Sequence, residues 1–174
     1  MTKGSFAEMN CPIAQSLELV GEWWTLLILR NAFCGMSRFD DFQQHLGIGS
    51  NILANRLRRL CEAEILTRTP AENDGRAFDY RLTEKGFSLY PVLLALTQWG
   101  EQWAGNPLGP RLQMFERSTG KPIAGLAVLS ADGRPLRPDE ITVQAGPGAD
   151  DKTHELIRHR AQLEAAQAAK PDPA

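Results

Sequence analysis

Arginine and asparagine side chains are concentrated in one short stretch of this 174-residue chain. Residues 51–60 contain three arginines and no acid, which makes this stretch the only concentrated positive charge in the sequence. Asparagine can bond adenine through two edges, and arginine can bond guanine or phosphate, so this composition suits contact with DNA. The alternative is a solvated helix face that binds nothing. We predict base contacts from Ser50, Asn51, Asn55 and Arg58, and phosphate contacts from Arg56 and Arg59.

A second group of arginines brackets a predicted β-hairpin farther along the chain. Arg68, Arg76 and Arg81 are suited to clamp phosphates, although acids lie among them and weaken the local field. Those acids are Glu72, Asp74 and Asp79. We include Arg76 of this group, together with Arg38, in the predicted DNA-binding set.

One of the three cysteines, Cys11, could serve as a sensor, and the set does not form a scaffold. Their odd number and their spacing support neither a disulfide framework nor a cysteine zinc site. Cys11 precedes Pro12 at a predicted helix start, where the positive end of the helix dipole favours the thiolate. A redox or electrophile sensor would use that chemistry, and the alternative is an inert, half-buried thiol. Cys34 follows an apolar helix, and we expect it to pack in the core.

The four tryptophans allow a different kind of signal input. They could form an aromatic pocket for a small apolar effector, although aromatics at helical spacing also serve core or interface packing. The residues are Trp23, Trp24, Trp99 and Trp103.

Composition excludes several classes of protein. A net charge of −2 and a pI near 5.9 exclude a generally basic nucleic-acid coat protein but allow one basic face. Without a membrane-spanning run or a secretory signal, we expect a cytoplasmic protein. No nucleophile–base pair or glycine-rich phosphate loop can be argued, and His45, His154 and His159 are scattered. We therefore expect no enzymatic activity, no cofactor and no metal.

The elements that must position these residues follow from the apolar periodicity. Helices are predicted at 12–20, 22–32 and 50–64, with a short helix ending at Leu46 whose start resembles a capping box of Ser37 and Asp40. Two strands are predicted next, at 65–69 and 77–82, joined by residues 70–75. The series ends with a long helix at 84–103, in which Pro91 marks a kink or the true first turn. Helix, short helix, tight turn, helix and hairpin is the order of a winged helix-turn-helix, a mainly α fold with a β-hairpin wing.

Seven short motifs lie in a continuous series along residues 10–104. They are CPI at 11–13, GEWWTLLILR at 21–30, RFDDF at 38–42, LGI at 46–48, NILANRL at 51–57, YRLTEKG at 80–86 and WG at 99–100. As a set, they resemble the HxlR-type winged-helix transcriptional regulators. In that family a cysteine at the position of Cys11 serves some members as a thiol switch for quinones, aldehydes or oxidants. Glycine usually stands where this chain has Glu64, closing the recognition helix in a left-handed turn.

The resemblance also implies an assembly. It implies a homodimer whose terminal helices pair, so that two winged helices bind a pseudo-palindromic operator in double-stranded DNA. The interface residues that it implies are Leu93, Leu96, Trp99 and Trp103.

We divide the chain into three predicted parts. Residues 1–104 form the DNA-binding and dimerisation domain, and residues 105–150 resemble a small β-rich extension found in part of the family, with one strand at 123–129. Residues 118–120 and 131–133 stand where that extension tends to carry Cys-Gly knuckles, so the metal is expected to be absent here. Residues 151–174 form a tail that is either a frayed helix or disordered.

The sequence thus favours a dimeric, sequence-specific transcriptional repressor. A Cys11 redox switch and a small-molecule effector remain competing inputs. The alternative from another class is a winged-helix protein-interaction module without DNA binding, against which the arginine cluster argues.

Overall fold

The computed structural model describes residues 5–72 and 74–168. Its elements, in chain order, are α1 (Pro12–Val20), α2 (Trp23–Phe33), α3 (Phe39–Leu46), α4 (Ser50–Glu62), β1 (Leu66–Ala71), β2 (Asp74–Leu82), α5 (Glu84–Phe87), α6 (Tyr90–Trp103) and α7 (Asp151–Ala168). The order confirms the predicted fold class, mainly helical with a two-stranded antiparallel hairpin that we call the wing.

The described parts of the chain form two compact units. Residues 19–127 make up one unit, and residues 1–18 with 128–174 make up the other. The division at 104 and 150 that we predicted from the sequence stays a prediction.

The core of the 19–127 unit follows from the leucine spacing in α4. Leu53, Leu57 and Leu60 repeat at i, i+4 and i+7, and all three are at most 1% exposed. They pack in one cluster with residues of α2 and α3, including Ile28 and Phe42. Burial of this stripe turns the opposite, polar face of α4 to solvent.

The start of α3 differs from the capping box that the sequence predicted. Arg38 is the N-cap residue, and no side chain caps the helix there. The Ser37 hydroxyl instead donates to Asp79 Oδ1 on the wing, at 3.1 Å. The predicted cap was wrong because a carboxylate 42 residues away competes for this hydroxyl.

The wing is longer than predicted. β1 extends to Ala71 and β2 begins at Asp74, so most of the predicted loop lies in strands and only Glu72 and residue 73 separate them. Pro70 pairs with Phe78 just before a register irregularity. A proline is tolerated in β1 because each strand of a two-stranded hairpin has a free edge.

The helix predicted over 84–103 is two helices. The Thr83 hydroxyl caps α5 by accepting a hydrogen bond from the Gly86 amide, at 3.0 Å. A second helix, α6, begins at Tyr90 with Pro91 in its first turn. Pro91 therefore marks a helix start, where its missing N–H costs nothing.

The β-rich prediction for the extension was wrong for residues 123–129, which form no strand. Among the described residues 105–150, the pairing is limited to the isolated bridges Phe115↔Pro122 and Leu129↔Pro135. Each bridge has a proline partner that cannot donate a ladder hydrogen bond, and Gly125 has a φ of 87° that interrupts an extended run. In the tail, residues 151–168 are helical, and residues 169–174 lie outside the described part.

Glu64, just beyond α4, adopts the left-handed conformation that the motif resemblance led us to expect at this position. Its φ of 56° is the only positive value at a non-glycine residue in the described ranges. Two side-chain hydrogen bonds fix this turn: Thr83 Oγ1 donates to the Glu64 carbonyl, and Lys85 Nζ donates to the Ala63 carbonyl. The surroundings thus enforce a conformation that costs a residue with a Cβ about 1–2 kcal/mol.

We expect Glu64→Gly to raise the free energy of unfolding by about 1 kcal/mol, because glycine removes this strain. Urea denaturation followed by circular dichroism would measure the change. Glu64→Ala is the matched control, since it removes the same carboxylate and keeps the Cβ. Equal stabilisation by both variants would assign the effect to charge rather than to backbone strain.

Candidate nucleic-acid interface

The exposed face of α4 gathers most of the residues predicted to contact DNA. Asn51, Asn55, Arg58 and Arg59 are exposed on the side opposite the buried leucines, and Ser50 is exposed at the first position of the helix. The first turn of α4 has no acidic residue, and no side chain caps its amide N–H groups. Because these N–H groups and the positive end of the helix dipole are not neutralised by the protein, they can bind a phosphate.

Arg58 and Arg59 differ in how they are held. Arg58 pairs with Glu62 one turn later, at 2.7 Å, and both side chains are about 60% exposed. Such a surface pair is worth well under 1 kcal/mol, so a phosphate or a base can displace Glu62. Arg59 has no ion-pair partner among the described side chains and is available as it stands.

Arg56 is set apart from the other residues of this face. Its Nη2 lies 3.0 Å from Glu22 Oε2, and its side chain is only 16% exposed. Burial, followed by the charge of Arg59, lowers the pKa of Arg56 from its ordinary value. Because Glu22 is the N-cap residue of α2, the pair fastens α4 to the start of that helix. The predicted phosphate contact of Arg56 stays a prediction, and the structure gives this side chain a positioning role.

The wing is tied to the start of α3 through Asp79. Its carboxylate accepts from Ser37, lies 3.6 Å from Arg38 Nη1, and lies 3.3 Å from Arg81 Nη2. Partial burial pushes the pKa of Asp79 upward, but the hydrogen bonds from Ser37 and Arg81 and the charges of Arg81 and Arg38 bring it below its ordinary value. This carboxylate, which we expected only to weaken the field, therefore holds Arg38 beside the wing.

The remaining wing arginines lie at different places. The Arg68 guanidinium stacks over the Phe78 ring, 3.5 Å from its centroid. Arg76 belongs to β2, and its side chain lies outside the described part of the structure. Arg38 and Arg81 thus share Asp79, whereas Arg68, which pairs with Tyr80, lies on the other face of the hairpin from Arg81.

Sequence reasoning missed the ion pairs that two acids make in this interface. Glu22 lies 34 positions before Arg56, and Asp79 lies 41 positions after Arg38. Neither pair has a local spacing that would reveal it.

The thiols occupy different environments. Cys11 is half-exposed and immediately precedes α1. Cys34 is exposed at the end of α2, so the expectation of core packing was wrong there. Cys61 is half-buried against the core, and burial raises the pKa of its thiol.

An apolar face along α6 is left uncovered. None of its residues is buried, and Leu93 only partly packs against the core. Exposed fractions reach 48% at Leu96, 62% at Trp99 and 68% at Trp103. Trp23 is 82% exposed, so the chain alone does not enclose the predicted tryptophan pocket.

The described residues contain no cluster of three or more His, Cys, Asp or Glu suited to a metal ion. Within the same ranges, every helix is too short or too polar to cross a membrane.

A helix-turn-helix whose second helix presents Asn and Arg to solvent, followed by a β-hairpin, defines a winged-helix, DNA-binding transcriptional regulator. The model of the HxlR-like helix-turn-helix family matches residues 19–107. The chain belongs to this family, as the motif resemblance indicated.

Relatives and solved structures agree with this assignment. The HTH-type transcriptional regulator Rv3095 of Mycobacterium tuberculosis is 37% identical over 136 residues, which are 78% of this chain and 86% of the relative. YdeP of Bacillus subtilis, of the same type, is 30% identical over 95 residues, which are 54% of this chain and 74% of that protein.

Two solved structures are similar to this chain over a longer range than the family model matches. PA1607, described as a candidate transcription factor, superposes with a TM-score of 0.76 and 40% identity over 82% of this chain and all of that chain. PA1374 of Pseudomonas aeruginosa superposes with a TM-score of 0.59 and 40% identity, over 84% of this chain and 99% of that one.

Proposed function

We propose that this regulator is a homodimeric repressor that binds a pseudo-palindromic operator. One observation above all supports the proposal: the exposed Asn51, Asn55, Arg58 and Arg59 on the outer face of α4. The chain as a whole carries a net charge of −2, so its attraction to DNA depends on this one face and the wing. Two copies of the face on one duplex would supply the affinity that a single copy lacks.

A mobility-shift assay with the DNA upstream of its own gene tests this proposal. We expect a specific shift whose affinity falls steeply between about 50 and 200 mM salt, because phosphate contacts release counterions. Absence of any shift at low salt would instead favour the alternative function, a winged-helix module that binds another protein. A transcription assay from the shifted fragment would then separate repression from activation.

The uncovered face of α6 supports the dimer. Apolar side chains that are about half exposed on one helix indicate a surface that another chain covers. We expect the double variant Leu96→Glu, Trp99→Glu to be a monomer in sedimentation velocity, since burying two carboxylates costs several kcal/mol. Gln102→Glu adds charge at an exposed polar position of the same helix and should leave the dimer intact. A dimeric double variant would exclude α6 as the interface.

Cys11 is proposed as one possible input, in competition with a small-molecule effector. If its thiol is the switch, benzoquinone should weaken operator binding by about 5–150-fold in the wild type. Cys34→Ser, which removes the exposed thiol at the end of α2, should respond like the wild type, whereas Cys11→Ser should not respond. An unchanged response in Cys11→Ser would eliminate Cys11 as the switch.

A further inference from the structure

A groove of about 480 Å³ lies between the start of α3 and the wing. This volume is in the range of small-molecule sites, which combine aromatic walls with a few polar groups. The side chains that line the groove have that composition: Arg38, Phe39, Asp40, Arg68, Phe78 and Tyr80.

The aromatic wall of the groove follows from the register of the wing. Arg68 on β1 lies directly opposite Tyr80 on β2, and Phe78 lies two residues before Tyr80. Successive side chains alternate across a strand, so Arg68, Phe78 and Tyr80 share one face of the hairpin. Burial is the main cause that raises the pKa of Tyr80, so its hydroxyl stays protonated at neutral pH.

Arg68 is oriented to bind an anion. Its guanidinium carbon lies 3.5 Å from the centroid of the Phe78 ring, so the ring covers one side of the cation and the N–H donors remain for a ligand. Among the described side chains, no carboxylate lies within ion-pair distance of Arg68. A planar carboxylate matches the vacant fork with two parallel hydrogen bonds.

The other charges of the groove are unequal in their availability. Arg38 forms an ion pair with Asp79, which also pairs with Arg81 and accepts a hydrogen bond from Ser37. The negative charge of Asp79 is therefore neutralised within the protein. Asp40 lines the groove from the first turn of α3 and is exposed. It offers an acceptor to a hydrogen-bond donor on the ligand, on a different element from the Arg68 fork.

We propose that this groove binds a small aromatic carboxylate that carries a ring hydroxyl. The carboxylate pairs with Arg68, the ring lies along Phe78 and Tyr80, and the hydroxyl donates to Asp40. Arg38 lines the groove and belongs to the predicted DNA-binding set, so occupancy would change operator affinity. That consequence rests on the proposed function, whereas ligand binding itself does not.

Isothermal titration calorimetry on the full chain without DNA tests the site, with 4-hydroxybenzoate as the probe. We expect saturable binding that is at least about fivefold tighter than for cyclohexanecarboxylate, which lacks the ring face, and for 4-hydroxybenzamide, which lacks the charge. Arg68→Gln should weaken binding about tenfold, and Phe78→Leu should weaken it several-fold. Arg117→Gln, which removes an exposed arginine that does not line the groove, is the matched control and should bind as the wild type does.

Asp40→Asn tests the hydroxyl contact. In the wild type 4-hydroxybenzoate should bind tighter than benzoate, and this preference should disappear in the variant. Absence of saturable heat, or an undiminished affinity in Arg68→Gln, would overturn the proposal. The proposal would also be overturned if titration with 4-hydroxybenzoate gave no binding heat while Arg68→Gln bound the operator more weakly. That result would identify the groove as a phosphate contact of the DNA.

Discussion

The double variant Asn55→Ala, Arg59→Ala is expected to bind the operator at least about 100-fold more weakly than the wild type. A good contact to a base edge contributes about 1–3 kcal/mol, and a homodimer makes each such contact twice. Both side chains are exposed on the outer face of α4 and make no contact with the core. The free energy of unfolding should therefore stay within about 0.5 kcal/mol of the wild-type value.

Fluorescence anisotropy with a labelled operator duplex, at several salt concentrations, would measure the weaker binding. Removal of Arg59 should also reduce the slope of log affinity against log salt by about one unit for each phosphate that the variant no longer neutralises. Arg117→Ala is a suitable control because it removes an exposed arginine outside the winged helix. Undiminished affinity in the double variant would mean that α4 is not the recognition helix.

Arg56 gives the contrasting result within the same helix. Arg56→Ala removes the 3.0 Å ion pair with Glu22 and opens space beside α2. We expect the free energy of unfolding to fall by about 1–3 kcal/mol, in contrast to the stability expected for the double variant. Chemical denaturation of the two variants side by side would separate a residue that positions α4 from residues that contact DNA.

The local parts of this fold were predictable from the sequence. The leucine spacing of α4 determines which face is buried, and the bounds of α1 and the cap at Thr83 follow from residue types at neighbouring positions. The exposed members of the candidate site were predictable for the same reason, since a helix with one apolar stripe must turn its polar residues to solvent.

The parts that depend on distant partners were not predictable. Ser37 gives its hydroxyl to Asp79, and Arg56 is held by Glu22, through contacts that no local pattern encodes. The prediction for residues 123–129 failed for another reason. Apolar side chains favour a strand there, but Gly125 and the prolines at the bridge positions prevent a continuous ladder.

Gly86 is the residue whose replacement should damage the 19–127 unit most. It is buried, and a Cβ added to it would lie 2.3 Å from the Ile65 carbonyl oxygen and 3.0 Å from Leu82 Cδ2. A backbone oxygen cannot move aside as the end of a flexible side chain can. We expect Gly86→Ala to lower the free energy of unfolding by about 2–3 kcal/mol, in the upper range for overpacked sites.

Urea denaturation of Gly86→Ala and Gly105→Ala would test this directly. Gly105 is the control because its added Cβ meets only the Glu101 carbonyl oxygen at 3.8 Å, an ordinary contact. The clash should also affect DNA binding, since Ile65 joins α4 to β1 and its carbonyl accepts a hydrogen bond from the Thr83 amide, at 3.1 Å. Displacement of that carbonyl moves the wing relative to α4, so the folded fraction of Gly86→Ala should bind the operator more weakly than Gly105→Ala does. Equal stability of the two variants would show that α5 can shift away from Ile65 at little cost. Contacts other than the one between Gly86 and Ile65 would then have to fix the position of the wing relative to α4.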